Sequence, residues 1–494
     1  MFQQIFHIWN NNKWIIFLFF VGIIGGLIVI QDGHEWGDDF ALYISQAQAI
    51  LTGNTDKLAS YNTWSMQHSD GVIGPYLYPP GYPYFLATYL KVMPFSWVGL
   101  KVFQWIFYAL GVFAFYSFLN KKEFQLNFWS IIFLITLVFL HPKYVQFADR
   151  LMSDLWFLTT LFTFFYYLYF GQSFGNFRYV LIGISLILTS ITRVNGFLLI
   201  GSWWLHLLLE EIQWKNKLKN IGWTLPFVFV VLWFKKIDGQ YESNHIDLLN
   251  SITIQGIFQN CQLYFSDIST FAFSLLGFLL EIFRLNILLG LVLLFLFFKG
   301  LTSMKQLKLF APILSWIALN LLLILVWPIG QGTRYLLPIL PFIYLIAMVG
   351  LQHMIKSKQW LTRISVLLVI VIFIQFLATV YFFGFVQSRN DIVGDTQNDM
   401  YRQIKLRVKD NEIIAFDKPR WLHLATDKKV VRKLTTQSFF ESEANYLLKK
   451  RVDIYSKREF YISDSRLDSV YGNKDFILYR RNDLSTGENA IREK

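Results

Sequence analysis

Two adjacent carboxylates, Asp38 and Asp39, follow the first long apolar run of the chain, in the stretch "HEWGDDFALYISQAQAIL". A carboxylate in such a place can take a proton from an attacking hydroxyl. At helical spacing Asp39, Tyr43 and Gln46 share one face, while Phe40, Ile44, Ala47 and Leu51 share another. Such a helix lies in a membrane interface with its apolar side toward the lipid. Each acid also has a plain alternative: Asp38 as an N-cap, Asp39 as a favourable charge at a helix N-terminus.

Further candidates lie beyond it. "YLYPPGYPYFLATYL" puts Tyr78 before a proline pair that stiffens the chain, with neighbouring tyrosines at headgroup level. "HPKYVQFADRLMSDLWF" places Lys143, Asp149, Arg150 and Asp154 between two apolar runs, and capping is the alternative for Asp154. Arg193 sits in a turn too short to reach far into water, "TSITRVNGFLLI", and Arg334 with Tyr335 opens the proline-containing run "RYLLPILP". Ionisable groups at that depth are costly and usually functional. The alternatives are snorkelling to phosphates or pairing with a structural carboxylate. Together, carboxylates, isolated cations and tyrosines suit a phosphate-bearing lipid. Guanidinium forks bind phosphate oxygens bidentately, and apolar grooves between helices take the tail.

The elements that must hold these residues are membrane spans. Of 494 residues, 54% are hydrophobic and only 16% charged, where soluble proteins carry about 25% charged; mean hydropathy is +0.40. Runs long enough to span fall near 14–31, 93–119, 127–141, 155–171, 179–192, 195–210, 221–234, 284–299, 309–327, 335–352 and 364–386. Ser266 to Leu280 is an extra span or a half-buried segment, so the bundle has about 11 spans, or up to about 13. The first run lacks a small-x-small cleavage site and reads as a retained signal anchor. The 50 phenylalanines read as lipid-facing bulk.

The net charge of +12 concentrates in alternate short loops, among them Lys121 with Lys122, Arg178, Lys215, Lys305 and Lys356. A topology signal explains it better than nucleic acid, and makes that side and the N-terminus cytoplasmic. The first outer loop, 32–83, then faces the other side with the tail. From 389 the pattern becomes that of a soluble α/β domain. "NEIIAFD", "KVVRKL", "EFYIS" and "KDFILYRR" read as strands, with helices around Arg420–Asp427 and Glu441–Lys450. Residues 1–388 thus form a transmembrane catalytic domain and 389–494 an extracytoplasmic one. The fold class is mainly α, a polytopic helical bundle with interfacial helices in the first outer loop. One cysteine, Cys261, allows neither an intrachain disulfide nor a cysteine metal site.

In order and spacing, "DDFALYISQAQAIL", "YPPGYPY", "ADRLMSD", "TRVNG" and "RYLLPILP" resemble the GT-C superfamily of integral-membrane glycosyltransferases. The likeness is strongest to its aminoarabinose-transferase and protein O-mannosyltransferase branch, over about residues 30–345. The resemblance implies a polyprenyl-phosphate-linked sugar donor and a lipid, glycan or protein acceptor at the outer face of a bacterial inner membrane. It makes Asp39 of the acid-x-x-x-Tyr pattern the catalytic base and Asp154 a second acid that orients acceptor or sugar. Arg150, Arg193, Arg334, Tyr43, Tyr78 and Tyr335 become donor-phosphate or lipid contacts, with Asp38, Glu35 and Lys143 secondary. One departure stands out: the aminoarabinose branch has a lysine where Tyr78 precedes Pro79. Its phosphate contact then falls to Arg150 or Arg193, or in part to Tyr78, and the sugar stays open.

Because a polyprenyl phosphate already leaves readily, one carboxylate suffices, unlike the pair used in glycoside hydrolysis. Attack in line inverts the anomeric centre. No cofactor is required by the sequence; some GT-C enzymes use a divalent cation, for which Glu35, Asp38 and Asp39 offer hard oxygen ligands. A flippase or transporter of lipid-linked glycans, a glycan ligase, and a membrane scaffold are the competing classes. Charges gathered on one face, with few at mid-span, weigh against translocation.

Overall fold

The computed structural model describes residues 2–35, 37–71, 74–121, 124–170, 174–210, 213–237, 253–276, 285–303, 307–327, 332–387, 391–451 and 464–482, with side chains omitted for 2–12, 235–237, 275–276 and 307. Lys122, Lys305, the "EFYIS" segment and residues 277–280 lie outside them. The chain divides into two compact units, one of residues 1–30, 79–82 and 99–388, the other of 31–78, 83–98 and 389–494.

The first unit is helical, and each apolar run read from the sequence falls on a helix. Among the described residues four helices are long and apolar enough to cross a membrane, or five if one bent pair is a single span. In that pair the run 127–141 is the helix Phe128–Phe139, and a second short helix, Pro142–Ala148, follows it at 44°. Pro142 has no N–H to give and cannot continue the first helix. It starts the second instead, where the His141 ring accepts from the Lys143 N–H at 3.2 Å. Near 335 the expected span likewise begins late: Gly332–Tyr335 is a 3₁₀ turn and the helix is Leu340–Met354.

The aromatics divide between two roles. Phe113, Phe295 and Phe298 are exposed, as bulk facing lipid requires, whereas Phe115, Phe118, Phe162, Phe165 and Phe342 are fully buried. Phe115 stacks on Phe162 at 4.6 Å, and Phe165 meets Phe342 at 4.6 Å. In a bundle where lipid is as apolar as leucine, packing contacts rather than water exclusion hold helices together. Offset rings supply such contacts.

The second unit joins the long loop after the first helix to the tail. A five-stranded sheet has the order β2-β1-β3-β5-β4, with β1 Ile413–Ala415, β2 Lys429–Val431, β3 Tyr446–Lys450, β4 Leu467–Gly472 and β5 Phe476–Arg481. The first three are mutually parallel, and β5 runs antiparallel to β3 and β4. Strand β3 corrects the helix expected over Glu441–Lys450. Tyr446, Leu447 and Leu448 are successive buried residues at the sheet centre, and strands buried on both faces read as continuous apolar runs. The helix read at Arg420–Asp427 is present as Pro419–Thr426.

Edge strands invite unwanted pairing unless covered, and helix Thr55–Gln67 with its tail covers β2. Ser65 Oγ donates to the Val430 carbonyl (2.7 Å), Asp70 N–H to that of Arg432 (2.8 Å), and Tyr61 stacks on His423 at 3.6 Å. Helix Asp39–Thr52 is present where the sequence places it. Beside Phe40, Ile44 and Ala47, its polar-face residues Tyr43 and Gln46 are also buried, whereas Leu51 is exposed.

Candidate functional site

In the loop-and-tail unit, helix Asp39–Thr52 carries Asp39 in its first turn. The Tyr78 side chain lies beside the Asp39 carboxylate. Tyr43, one turn after Asp39, stacks on Tyr78 with ring centroids 4.3 Å apart. Burial pushes the Tyr78 hydroxyl well above the usual phenol range, and the charge of Asp39 adds to this, so it keeps its proton. The backbone of Tyr78 is clamped by one side chain. Gln46 Nε2 donates to its carbonyl at 2.8 Å, and its N–H donates to Gln46 Oε1 at 3.1 Å. Two residues earlier the Tyr76 carbonyl accepts from Asn62 Nδ2 at 2.8 Å. Neither Gln46 nor Asn62 is among the sequence candidates. Gln46 had a signal, its place on the Asp39–Tyr43 face; Asn62 had none.

Asp38 does not cap its own helix with its side chain. Its Oδ1 accepts instead from the backbone N–H groups of Arg420 and Trp421, both at 3.1 Å. It thereby serves the helix Pro419–Thr426, whose first N–H groups have no partner within their own helix. Burial raises the Asp38 carboxyl to about 6, opposed by the charge of Arg420 and the Trp421 N–H. Local sequence cannot reveal this: the cap and its helix are almost 400 residues apart in the chain. Among the described residues no three His, Cys, Asp or Glu side chains converge as metal ligands. Glu35 accepts from the His34 ring through its backbone carbonyl.

In the helical unit, "ADRLMSD", "TRVNG" and "RYLLPILP" converge on Asp154. Its carboxylate is buried in the first turn of helix Ser153–Phe170. Arg193 Nη1 donates to Oδ1, and Arg334 Nε lies 3.0 Å from both oxygens. Arg193 also sits between the rings of Phe157 (5.7 Å) and Tyr335 (5.5 Å). Two guanidinia on one carboxylate leave a net positive cluster, and the two cations are 13% and 20% exposed against 2% for the acid. A carboxylate so engaged is a poor proton acceptor and a good brace. The turn bearing Arg193 requires Gly196, since a Cβ there would stand 2.5 Å from the Thr189 carbonyl oxygen. Asn195 fixes it further through Asn320 at 2.9 Å. The turn after Arg334 is held by Tyr144 and Trp316, which donate to the Leu337 and Pro338 carbonyls.

Arg150 lies with its guanidinium 5.6 Å from the Phe147 ring, and its carbonyl accepts from Gln104 at 3.0 Å. Beside it Lys101 and Asp149 form a fully buried ion pair of 2.7 Å. Lys101 escaped notice within an apolar run. Lys143 is half-buried.

No family model matches the sequence, and no curated protein matches it. Solved structures do. ArnT from Cupriavidus metallidurans, in the apo state, superposes with a TM-score of 0.55 at 10% identity, over 95% of this chain and 98% of that one. The same protein bound to undecaprenyl phosphate gives 0.54. The oligosaccharyltransferase AglB from Archaeoglobus fulgidus, in complex with an inhibitory peptide and a dolichol-phosphate, gives 0.52 at 10% identity, over 90% of this chain and 70% of that one. Arabinofuranosyltransferase AftD from Mycobacteria gives 0.54 at 11% identity, over 95% of this chain and 40% of that one. The fold of this chain is the one these proteins share.

Proposed function

We propose that this chain of GT-C fold is an inverting glycosyltransferase that moves a sugar from a polyprenyl-phosphate donor to an acceptor hydroxyl at the outer face of the membrane. The observation that carries the reading is the Asp39 carboxylate beside Tyr78, on a loop segment that Gln46 fixes through two backbone hydrogen bonds. Support at the level of fold comes from proteins solved with undecaprenyl phosphate and dolichol-phosphate.

Asp39 takes the proton of the acceptor hydroxyl as its oxygen attacks the anomeric carbon. The bond from that carbon to the phosphate oxygen breaks, and the electron pair leaves with the polyprenyl phosphate. Attack opposite the leaving group inverts the centre. The leaving phosphate needs no proton, so no second acid is required.

Asp154 is the brace of Arg193 and Arg334 in this reading, not a second base. The two guanidinia give phosphate oxygens fixed donors, with Tyr335 beside them.

The test is Asp39→Asn in purified full-length protein given a matched donor. Loss of general-base help lowers turnover by about 10² to 10⁴ with the melting temperature unchanged. Turnover near that of the unaltered protein sinks the assignment.

A further inference from the structure

Tyr82, the second tyrosine of "YPPGYPY", takes no part in the transfer chemistry proposed above. It follows Gly81 at the start of helix Gly81–Val92 and is fully buried. Its hydroxyl donates to Gln104 Oε1. Gln104 lies within the apolar helix Trp97–Leu119 and is itself buried. Its Nε2 donates in turn to the Arg150 carbonyl at 3.0 Å and the Phe147 carbonyl at 3.3 Å. An amide so placed is costly unless its polar atoms are used, and both ends of this one are. Its donors go to the turn that leads into helix Ser153–Phe170, where Asp154 stands in the first turn. One helical turn before Gln104, Lys101 holds the same segment through Asp149 at 2.7 Å.

Gly81 reaches the other side of the same ion pair. A Cβ there would stand 2.7 Å from Thr192 Oγ1 and 2.8 Å from the Thr192 nitrogen and the Ile191 carbonyl carbon. The backbone at 81 therefore rests directly on the end of helix Phe177–Thr192, and Arg193 is the next residue. Two consecutive residues thus bear on two segments: Gly81 on the helix end that carries Arg193, Tyr82 on the turn that precedes Asp154. Those segments must keep their register, because a guanidinium fork gives phosphate its parallel bonds only in the right plane.

We infer that Tyr82 and Gln104 are positioning residues of the donor-phosphate site. The Tyr82 hydroxyl, relayed by the Gln104 amide, sets the turn that aims Asp154, and with it the guanidinia of Arg193 and Arg334. This rests on the reading that those guanidinia hold the donor phosphate. Both residues act through the cluster rather than on the donor itself.

The experiment measures binding of undecaprenyl phosphate and of undecaprenol, the same chain without its phosphate, to full-length protein in detergent. The proteins are the unaltered one, Gln104→Met, Tyr82→Phe and Arg193→Met, each with its melting temperature. A charge-assisted contact is worth about 10- to 100-fold in affinity, and it depends on alignment. Gln104→Met is expected to weaken the phosphate by about 10-fold or more and to leave the alcohol unchanged. Tyr82→Phe, one oxygen smaller, shifts the same affinity in the same direction by less. A merely structural role moves both lipids together or neither, so equal weakening of the two overturns the inference. So does a folded Gln104→Met with the phosphate affinity of the unaltered protein; if Arg193→Met has lost that affinity, the phosphate reading stands without the inference. An unaltered protein that does not tell the two lipids apart, or an Arg193→Met variant that binds the phosphate as tightly, overturns both. Where Gln104→Met fails to fold, Tyr82→Phe decides by the same comparison.

Discussion

Removing Asp154 tests whether it braces two cations or acts on its own. At about 4 Å and an effective dielectric of about 20, one unit-charge pair is worth roughly 4 kcal/mol before desolvation, and Asp154 holds two guanidinia. Deleting one member of a buried ion pair costs about 3 to 5 kcal/mol, because the remaining charge is stranded. Here the stranded charges are two, Arg193 and Arg334, and they repel each other. Asp154→Ala is therefore expected to destabilise by about 3 to 5 kcal/mol. For a chain of 494 residues an unfolding entropy of about 2 cal/mol/K per residue turns this into a melting shift of about 3 to 5 °C. The decisive assay is a double-mutant cycle in thermal unfolding of purified protein with Arg193→Met. Once Asp154 is gone, deleting Arg193 removes a repulsive charge, so the double variant should recover about 1.5 to 3 kcal/mol relative to the sum of the singles. Strictly additive effects refute the brace. So does an Asp154→Ala protein that melts like the original yet has lost turnover, since that is the signature of a catalytic acid.

Two further outcomes follow from the loop-and-tail unit. With a folded-state value of about 6 against about 3.9 when unfolded, Asp38 favours folding while protonated, and its contribution falls as pH rises from about 4 to 6. The full two-unit span is a ceiling of about 3 kcal/mol, and solvent screening of a half-buried group lowers it. Thermal melts of Asp38→Asn, which keeps an acceptor but does not titrate, should gain on the original protein between pH 4 and 7; parallel profiles reject the assignment. Gln46→Leu strands both backbone groups of Tyr78, at about 1 to 3 kcal/mol each. Turnover should fall by roughly 10- to 100-fold through misplacement of Tyr78 and Asp39, and unchanged kinetics in the folded variant would exclude the clamp.

How much of this was legible depended on sequence distance and on what the signal encoded. Apolar length reports burial in lipid without reference to any partner, so the helices could be read directly. Pro142 and Pro338 could have warned that two of them break, since a missing N–H is a local fact. Asp154, Arg193 and Arg334 stood out because ionisable groups are conspicuous in apolar runs. That they meet on one carboxylate is tertiary information. Lys101 is the converse case: a lysine inside an apolar run reads as a flanking charge until Asp149 is found 2.7 Å away. Arg420 was invisible, since an arginine in a soluble domain is ordinary until its surroundings prove to be buried. The strand β3 has the same origin: "ANYLLKK" suits a helix by local preference, and the two strands that flank it decided otherwise.

The adjacent acids at the start of the loop helix show why a motif of two identical residues need not be a pair. Asp38 stands just outside the helix and Asp39 is its first residue, so the two carboxylates leave the backbone in different directions. Asp38 turns to the N–H groups that open helix Pro419–Thr426; Asp39 stands beside Tyr78. Their environments differ accordingly, one spent on fixing the tail against the loop, the other beside a hydroxyl that keeps its proton. The doublet therefore separates by function under the same substitution. Asp38→Asn should keep turnover and change the pH dependence of stability, while Asp39→Asn should keep stability and lose turnover. An assay pair that gave the reverse would mean that the acid fixed by the backbone is the working one, and that Tyr78 marks only a structural contact.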